Sequence, residues 1–162
     1  MIIASVFAWT VVTTGVGTAQ KSEQIVLDSL AKSSATLVLR GAVVGTANAD
    51  LTALDTLTFT LSSGGLSVEA ADLSGTGTII SYLDKDQALN IPDSQWLTTW
   101  LIGSGPLLDR GELVEVIVAL TVLNPALGTR REFTIRVNLV NGSVLLINRT
   151  TPVELTRVVD LT

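Results

Sequence analysis

Residues 131–148 read REFTIRVNLVNGSVLLIN, and this stretch decides the fold. Phe133, Ile135, Val137 and Leu139 recur at every second position. Glu132, Thr134, Arg136 and Asn138 fall between them. A period of two places successive side chains on opposite faces of a strand, so one face is buried and the other wet. Asn141-Gly142 follows, a pair that supplies the positive φ values of a type I′ turn. A second aliphatic run starts at Ser143. The stretch therefore predicts a β-hairpin.

The same period recurs on either side. Leu57, Phe59 and Leu61 alternate with Thr56, Thr58 and Thr60, and Val114, Val116, Val118, Leu120 and Val122 line one face of Glu112–Val122. Further strands are expected near Thr36–Val44, Gly65–Ala71, Thr76–Leu83, Ser143–Asn148 and Val153–Val159. Gly64-Gly65, Asp109-Arg110-Gly111 and Asn124-Pro125 punctuate them as turns. Many short strands at this spacing predict an antiparallel sandwich or barrel, Ig-like in class. About 125 residues suffice to bury such a core without disulfides.

The N-terminal part differs. Met1 to Gln20 read MIIASVFAWTVVTTGVGTAQ, and the first charge is Lys21. Ile25, Val26 and Leu30 continue with three-to-four spacing, opposite Glu23, Gln24 and Asp28. The expectation is one long helix, apolar all round and then amphipathic, ending near Ser33-Ser34. The class expected for the whole chain is α+β. Residues 1–34 would form a hydrophobic helix and residues 35–162 a β-sandwich. An all-apolar helix must be buried in something. Three readings compete: a secretory leader cut near Gly17–Ala19, a transmembrane anchor flanked by Lys21, and a helix packed against its own copies.

Composition removes whole classes of chemistry. The 162 residues contain no Cys and no His. That excludes disulfides, thiolate metal sites, thiol nucleophiles, imidazole bases and Ser-His-Asp triads. Fifteen acidic residues against ten basic ones give a net charge of −5, which argues against a nucleic-acid partner. Charged residues are only 15% of the chain and mean hydropathy is +0.52, the opposite of a disordered composition.

Other candidate sites have plainer explanations. Asp84, Asp86, Asn90 and Asp93 have oxygen ligands suited to Ca²⁺. An EF-hand fails, because Leu89 stands where Gly is needed and Gln95 where Glu is needed, so a solvated acidic loop is expected. No pair of carboxylates is marked for glycoside hydrolysis. Ser62-Ser63-Gly64-Gly65 and Ser74-Gly75-Thr76-Gly77 lack the lysine of a phosphate loop and read as turns. Trp96 and Trp100 suit either a sugar-stacking platform or packing against the sheet, and packing is the expectation. Asn141-Gly142-Ser143 and Asn148-Arg149-Thr150 are N-glycosylation sequons, so Asn141 and Asn148 are glycan candidates on an exported chain.

Taken together, the segments resemble archaeal flagellins, the subunits of the archaellum swimming filament. The resemblance begins at IIASVFAWTVVTTGVGTAQKSEQ (Ile2–Gln24) and runs through LVLRGAVVG (Leu37–Gly45) and LTFTLSSGG (Leu57–Gly65). It is strongest in SYLD (Ser81–Asp84), the Trp96/Trp100 pair, LIGSGPLLDRGELVEVIVAL (Leu101–Leu120) and REFTIRVNLVNGSVLLINRTTP (Arg131–Pro152). It implies a type IV pilin-like subunit whose N-terminal helix bundles in the filament core and whose sandwich forms the wall. The partner implied is the chain itself, after residence in the membrane. No cofactor and no catalysis are implied.

The resemblance favours the self-packing reading of the first segment. Ile2, Ile3, Val6, Phe7, Trp9, Val12 and Val16 would then lie between copies. The small residues Ala4, Ala8, Gly15, Gly17 and Ala19 would permit close approach. Burying about 1,000 Å² of apolar surface at about 25 cal/mol per Å² is worth on the order of 25 kcal/mol before ordering costs. Family members carry a short basic leader removed by a prepilin peptidase. None precedes Ile2 here, so the chain reads as processed or trimmed, or as started late. The rival functions are an adhesive pilus-like subunit and a secreted carbohydrate-binding sandwich with a leader.

Overall fold

A computed structural model describes residues 35–64 and 69–161. The chain divides into two units, Met1–Ser33 and Ser34–Thr162, and the description concerns the second. Its strands are β1 (Leu37–Ala47), β2 (Leu54–Ser63), β3 (Ala71–Asp72), β4 (Thr78–Asp84), β5 (Ala88–Asn90), β6 (Trp96–Ile102), β7 (Leu107–Leu108), β8 (Leu113–Ala119), β9 (Glu132–Leu139), β10 (Val144–Thr150) and β11 (Val158–Leu161).

The strands form an antiparallel sandwich. One sheet has the order β11-β1-β2-β8-β6, the other β10-β9-β4-β5, and β3 pairs with β7 beside them. Period-two alternation aims one face of each sheet inward. Leu57, Phe59, Leu61, Val114, Val116 and Val118 come from the first sheet, and Ile80, Tyr82, Phe133, Ile135, Val137 and Ile147 from the second. All are at most 1% exposed and belong to one core cluster.

The fold class requires a correction. Among the described residues the only helical piece is a 3-10 turn, Asp93–Gln95. No helix of seven or more residues occurs among the described residues, which are mostly antiparallel β-sheet, and this overturns the expected α+β class. The reason is the pattern of the residues themselves: alternating Val, Ile and Thr bury a clean face only as strands, and branching at Cβ suits a pleated surface. The long helix expected over residues 1–34 lies outside the described residues and is not carried forward. Among the described residues no helix is long and apolar enough to cross a membrane.

Strand positions also shift. Of the strand expected over residues 65–71, only β3 is described, and residues 65–68 lie outside the description. The last strand begins at Val158 rather than Val153. Thr151 holds the preceding segment instead: its hydroxyl donates to the Gly128 carbonyl at 2.7 Å and accepts the Arg131 N–H at 2.8 Å. Strand β6 was not expected, because Trp96-Leu97-Thr98-Thr99-Trp100-Leu101 carries bulky apolar residues on both faces and shows no clean period.

The β9–β10 hairpin forms at Asn141-Gly142, but its turn differs from the expected type I′. Asn141 has no positive φ, and neither has Gly142. The turn closes through Gly142 N–H donating to the Leu139 carbonyl at 3.3 Å. Glycine is needed there for space. Ala35 bridges Gly142 in parallel, and the Ser143 N–H donates to the Ala35 carbonyl at 3.0 Å. A Cβ on Gly142 would lie 2.6 Å from that carbonyl oxygen. Gly142→Val should therefore cost about 2–3 kcal/mol by forcing the backbone at Ala35 aside. A urea melt of the variant checks this, and an unchanged midpoint would contradict it.

Candidate interaction surfaces

The β4–β5 turn holds the densest polar network. Asp84 accepts the backbone N–H groups of Asp86 at 2.7 Å and Gln87 at 2.8 Å, and the Tyr82 hydroxyl donates to it at 2.9 Å. Arg131 pairs with Asp86 and lies 3.8 Å from Asp84, whose side chain is 1% exposed. Gln87 ties this turn to the loop after β8, donating to the Pro125 carbonyl and accepting the Asn124 N–H.

The four oxygen residues considered for Ca²⁺ are engaged elsewhere. Asp84 and Asp86 serve the turn, Asn90 accepts the Ser81 hydroxyl at 2.7 Å, and Asp93 lies against Gly75. No group of three His, Cys, Asp or Glu is placed to hold a metal among the described residues. An open cleft beside the turn is lined by Asp84, Lys85, Arg130, Arg131, Glu132 and Thr134, so it carries charges of both signs.

This network makes stability depend on pH at both ends. Burial opposes ionisation of Asp84, but the N–H groups of Asp86 and Gln87 and the Tyr82 hydroxyl outweigh it, so its value falls below the ordinary 3.8. A depressed carboxyl contributes stability above its unfolded value and loses it as pH falls through the folded one. Burial, then the bond to Asp84, raises Tyr82 far above the ordinary 10.0. A raised phenol contributes stability below its unfolded value and loses it as pH rises past it. Thermal melts should fall below about pH 4 and above about pH 10. Asp84→Asn should flatten the acid limb and Tyr82→Phe the alkaline one. Identical pH profiles for wild type and both variants would contradict this assignment.

Trp96 and Trp100 are half-buried and pack on the core from the inner side of edge strand β6, so they form no stacking platform. The glycan candidates are both exposed. Asn141 sits at the hairpin turn, and Asn148 lies on the outer face of β10 with its amide donating to Glu132 at 2.9 Å. The residues Ile2, Ile3, Val6, Phe7, Trp9, Val12 and Val16 lie outside the described residues.

Sequence reasoning missed two exposed aliphatic patches. On the outer side of β6, Leu97, Leu101 and Ile102 are each more than half exposed. Around β10, Val140, Val144 and Leu146 are also more than half exposed. The signal for the second was present: Val144-Leu145-Leu146-Ile147 is an unbroken aliphatic run, and a strand with such a run is apolar on both faces.

These features first define a class, a structural β-sandwich with aliphatic and threonine-rich outer faces. The family model for archaeal-type flagellin matches residues 1–149, and the chain belongs to the archaeal-type flagellin family. It is a structural filament subunit, and its family places it in the extracellular archaellum filament.

Solved structures share the fold. Archaeal flagellin FlaB1 from Methanocaldococcus jannaschii superposes with a TM-score of 0.68 at 14% identity, over 79% of this chain and 97% of that one. The archaeal flagellum of Methanospirillum hungatei strain JF1 gives 0.64 at 16% identity, over 93% and 86%. The archaellum periplasmic stator protein FlaG from Sulfolobus acidocaldarius gives 0.50 at 17% identity, over 70% and 98%. No curated protein matches the chain by sequence.

Proposed function

We propose that the subunit polymerises through its uncharged N-terminal stretch into the swimming filament, with the β-sandwich facing outward. The observation that carries this reading is the family match, which spans the uncharged stretch and all but the C-terminal end of the sandwich. Ile2, Ile3, Val6, Phe7, Trp9, Val12 and Val16 are the residues proposed to be buried between copies. Before assembly the same stretch resides in the membrane. The chain performs no catalysis, and motor force is supplied by other components. A strain lacking the chain should have no filaments by electron microscopy and should not swim, and both should return on complementation. An adhesin mutant would still swim. A soluble monomer beginning near Gln20 would fit the secreted sugar-binding alternative and overturn the filament reading.

Asn141 and Asn148 are proposed to carry glycans, supported by their exposure. Mass spectrometry of purified filaments should find hexose-containing mass on the peptide that spans both residues, and Asn141→Gln should remove one glycan's mass from it, leaving the one on Asn148. A peptide bare at both positions would refute this.

A further inference from the structure

We propose that successive subunits also touch through two different outer patches of the β-sandwich, one around β6 and one around β10. This rests on the filament reading and adds to it where the wall is bonded. An open polymer needs a heterologous contact, in which one surface of a subunit meets a different surface of the next. The sandwich presents two such surfaces, one on each sheet, each at a sheet edge.

The first patch is built from Leu97, Leu101 and Ile102, each 54–55% exposed. Register sets its neighbours: Leu97 pairs with Ile117, Thr99 with Glu115 and Ile102 with Leu113 of β8. Leu97, Thr99, Leu101, Glu115 and Ile117 share the outward face, because Trp96, Trp100, Val114, Val116 and Val118 take the inward one. The patch is thus aliphatic with one carboxylate in it. Arg40 lies on the same face, beyond Thr60 of β2, where it donates to the Ser62 hydroxyl at 2.9 Å.

The second patch is built from Val144 and Leu146, 53% and 58% exposed, with Ile79 at 44% and Val140 at the hairpin at 61%. Val144 pairs with Asn138, and Asn138 with Ile79. Leu146 pairs with Arg136, and Arg136 with Ser81. Arg136, directly opposite Leu146, sets one guanidinium among these aliphatics, and Glu132 lies further along the same face, held by the Asn148 amide. Glu115 and Arg136 form no ion pair among the described residues.

Both patches are aliphatic, and the charge set directly beside the aliphatics is Glu115 in the first and Arg136 in the second, with Arg40 two strands away and Glu132 four residues along on their respective faces. This local opposition favours one subunit's β6 face on the next subunit's β10 face. Like faces would bring Glu115 against Glu115 or Arg136 against Arg136. Opposed charges fix partner and register, whereas like charges are penalised. Contiguous exposed aliphatics on a soluble domain mark an interaction site. Asn141 and Asn148 bracket the second patch along β10, so glycans on them would border the contact.

The chain has no cysteine, which permits a clean test. Filaments carrying Leu97→Cys together with Leu146→Cys are treated with a short bismaleimide and run under denaturing conditions. The proposal expects a ladder of covalent dimers, trimers and longer species from the double variant, and none from either single variant. Cross-linked dimers from Leu97→Cys alone would mean a like-to-like contact and overturn it. Intact filaments of the double variant without a ladder would also overturn it. Failure of the unmodified chain to form filaments would instead overturn the function reading. Charge reversal gives an independent arm. Glu115→Arg and Arg136→Glu should each lower filament yield on the order of tenfold, and the two together should restore it. Wild-type yield from both single reversals would contradict the proposal.

Discussion

Replacing Val12 by Asp is expected to abolish filaments while leaving the β-sandwich folded. The stretch from Met1 to Gln20 contains no charge, and the proposed assembly buries it between copies. An unpaired carboxylate in an apolar contact must either ionise in a low-dielectric setting or take up a proton. Either course costs several kcal/mol per site. The cost recurs in every subunit, so a contact worth on the order of 25 kcal/mol before ordering costs is eroded along the whole polymer. Val6→Asp should act alike. The checks are electron microscopy of cell-surface filaments and far-ultraviolet circular dichroism of the variant chain. Normal filaments from both variants would remove the uncharged stretch from the assembly contact.

The second large effect concerns the sandwich itself. Phe133→Ala should destabilise it by about 3–5 kcal/mol. Phe133 is 1% exposed and stacks on Tyr82 with ring centroids 6.0 Å apart and planes 12° from parallel. Removing the ring opens a cavity under Tyr82, which is itself fully buried and holds Asp84 through its hydroxyl. A domain of this kind has a total stability of about 5–15 kcal/mol, so such a loss leaves little margin. Thr134→Ala, one position along on the other face of β9, should change stability by no more than about 0.5 kcal/mol. Urea denaturation of the two variants measures the contrast. Equal midpoints would contradict the core assignment.

The contrast between Phe133 and Thr134 was legible in the sequence, because β9 alternates without a break. The same holds for β2 and for β8 through Val118, whereas β8 ends at Ala119 and Val122, expected on the same face, is exposed beyond it. Legibility ended where both faces of a strand are apolar. In β6 the inward Trp96 and Trp100 alternate with the outward Leu97 and Leu101, so neither face stands out as the polar one. In β10 the run Val144–Ile147 has no period to read.

The hairpin forms at Asn141-Gly142, but not for the reason the dipeptide suggests. The dipeptide suggested positive φ, whereas Gly142 is demanded by the backbone of Ala35, more than a hundred residues away in sequence. No local pattern carries a long-range approach of that kind. The Asp84 turn was likewise visible only as acidic residues close together. Their use as acceptors for Asp86, Gln87 and Tyr82 depends on how the turn closes. The chemistry excluded by composition needed no structure: a chain without Cys or His has no thiol nucleophile and no imidazole base.

Immunogold labelling of native filaments with an antibody raised against this chain tests the central claim most directly. A structural subunit requires gold along the entire filament length, at a density independent of distance from the cell. Label confined to the cell envelope or to filament tips would contradict the account.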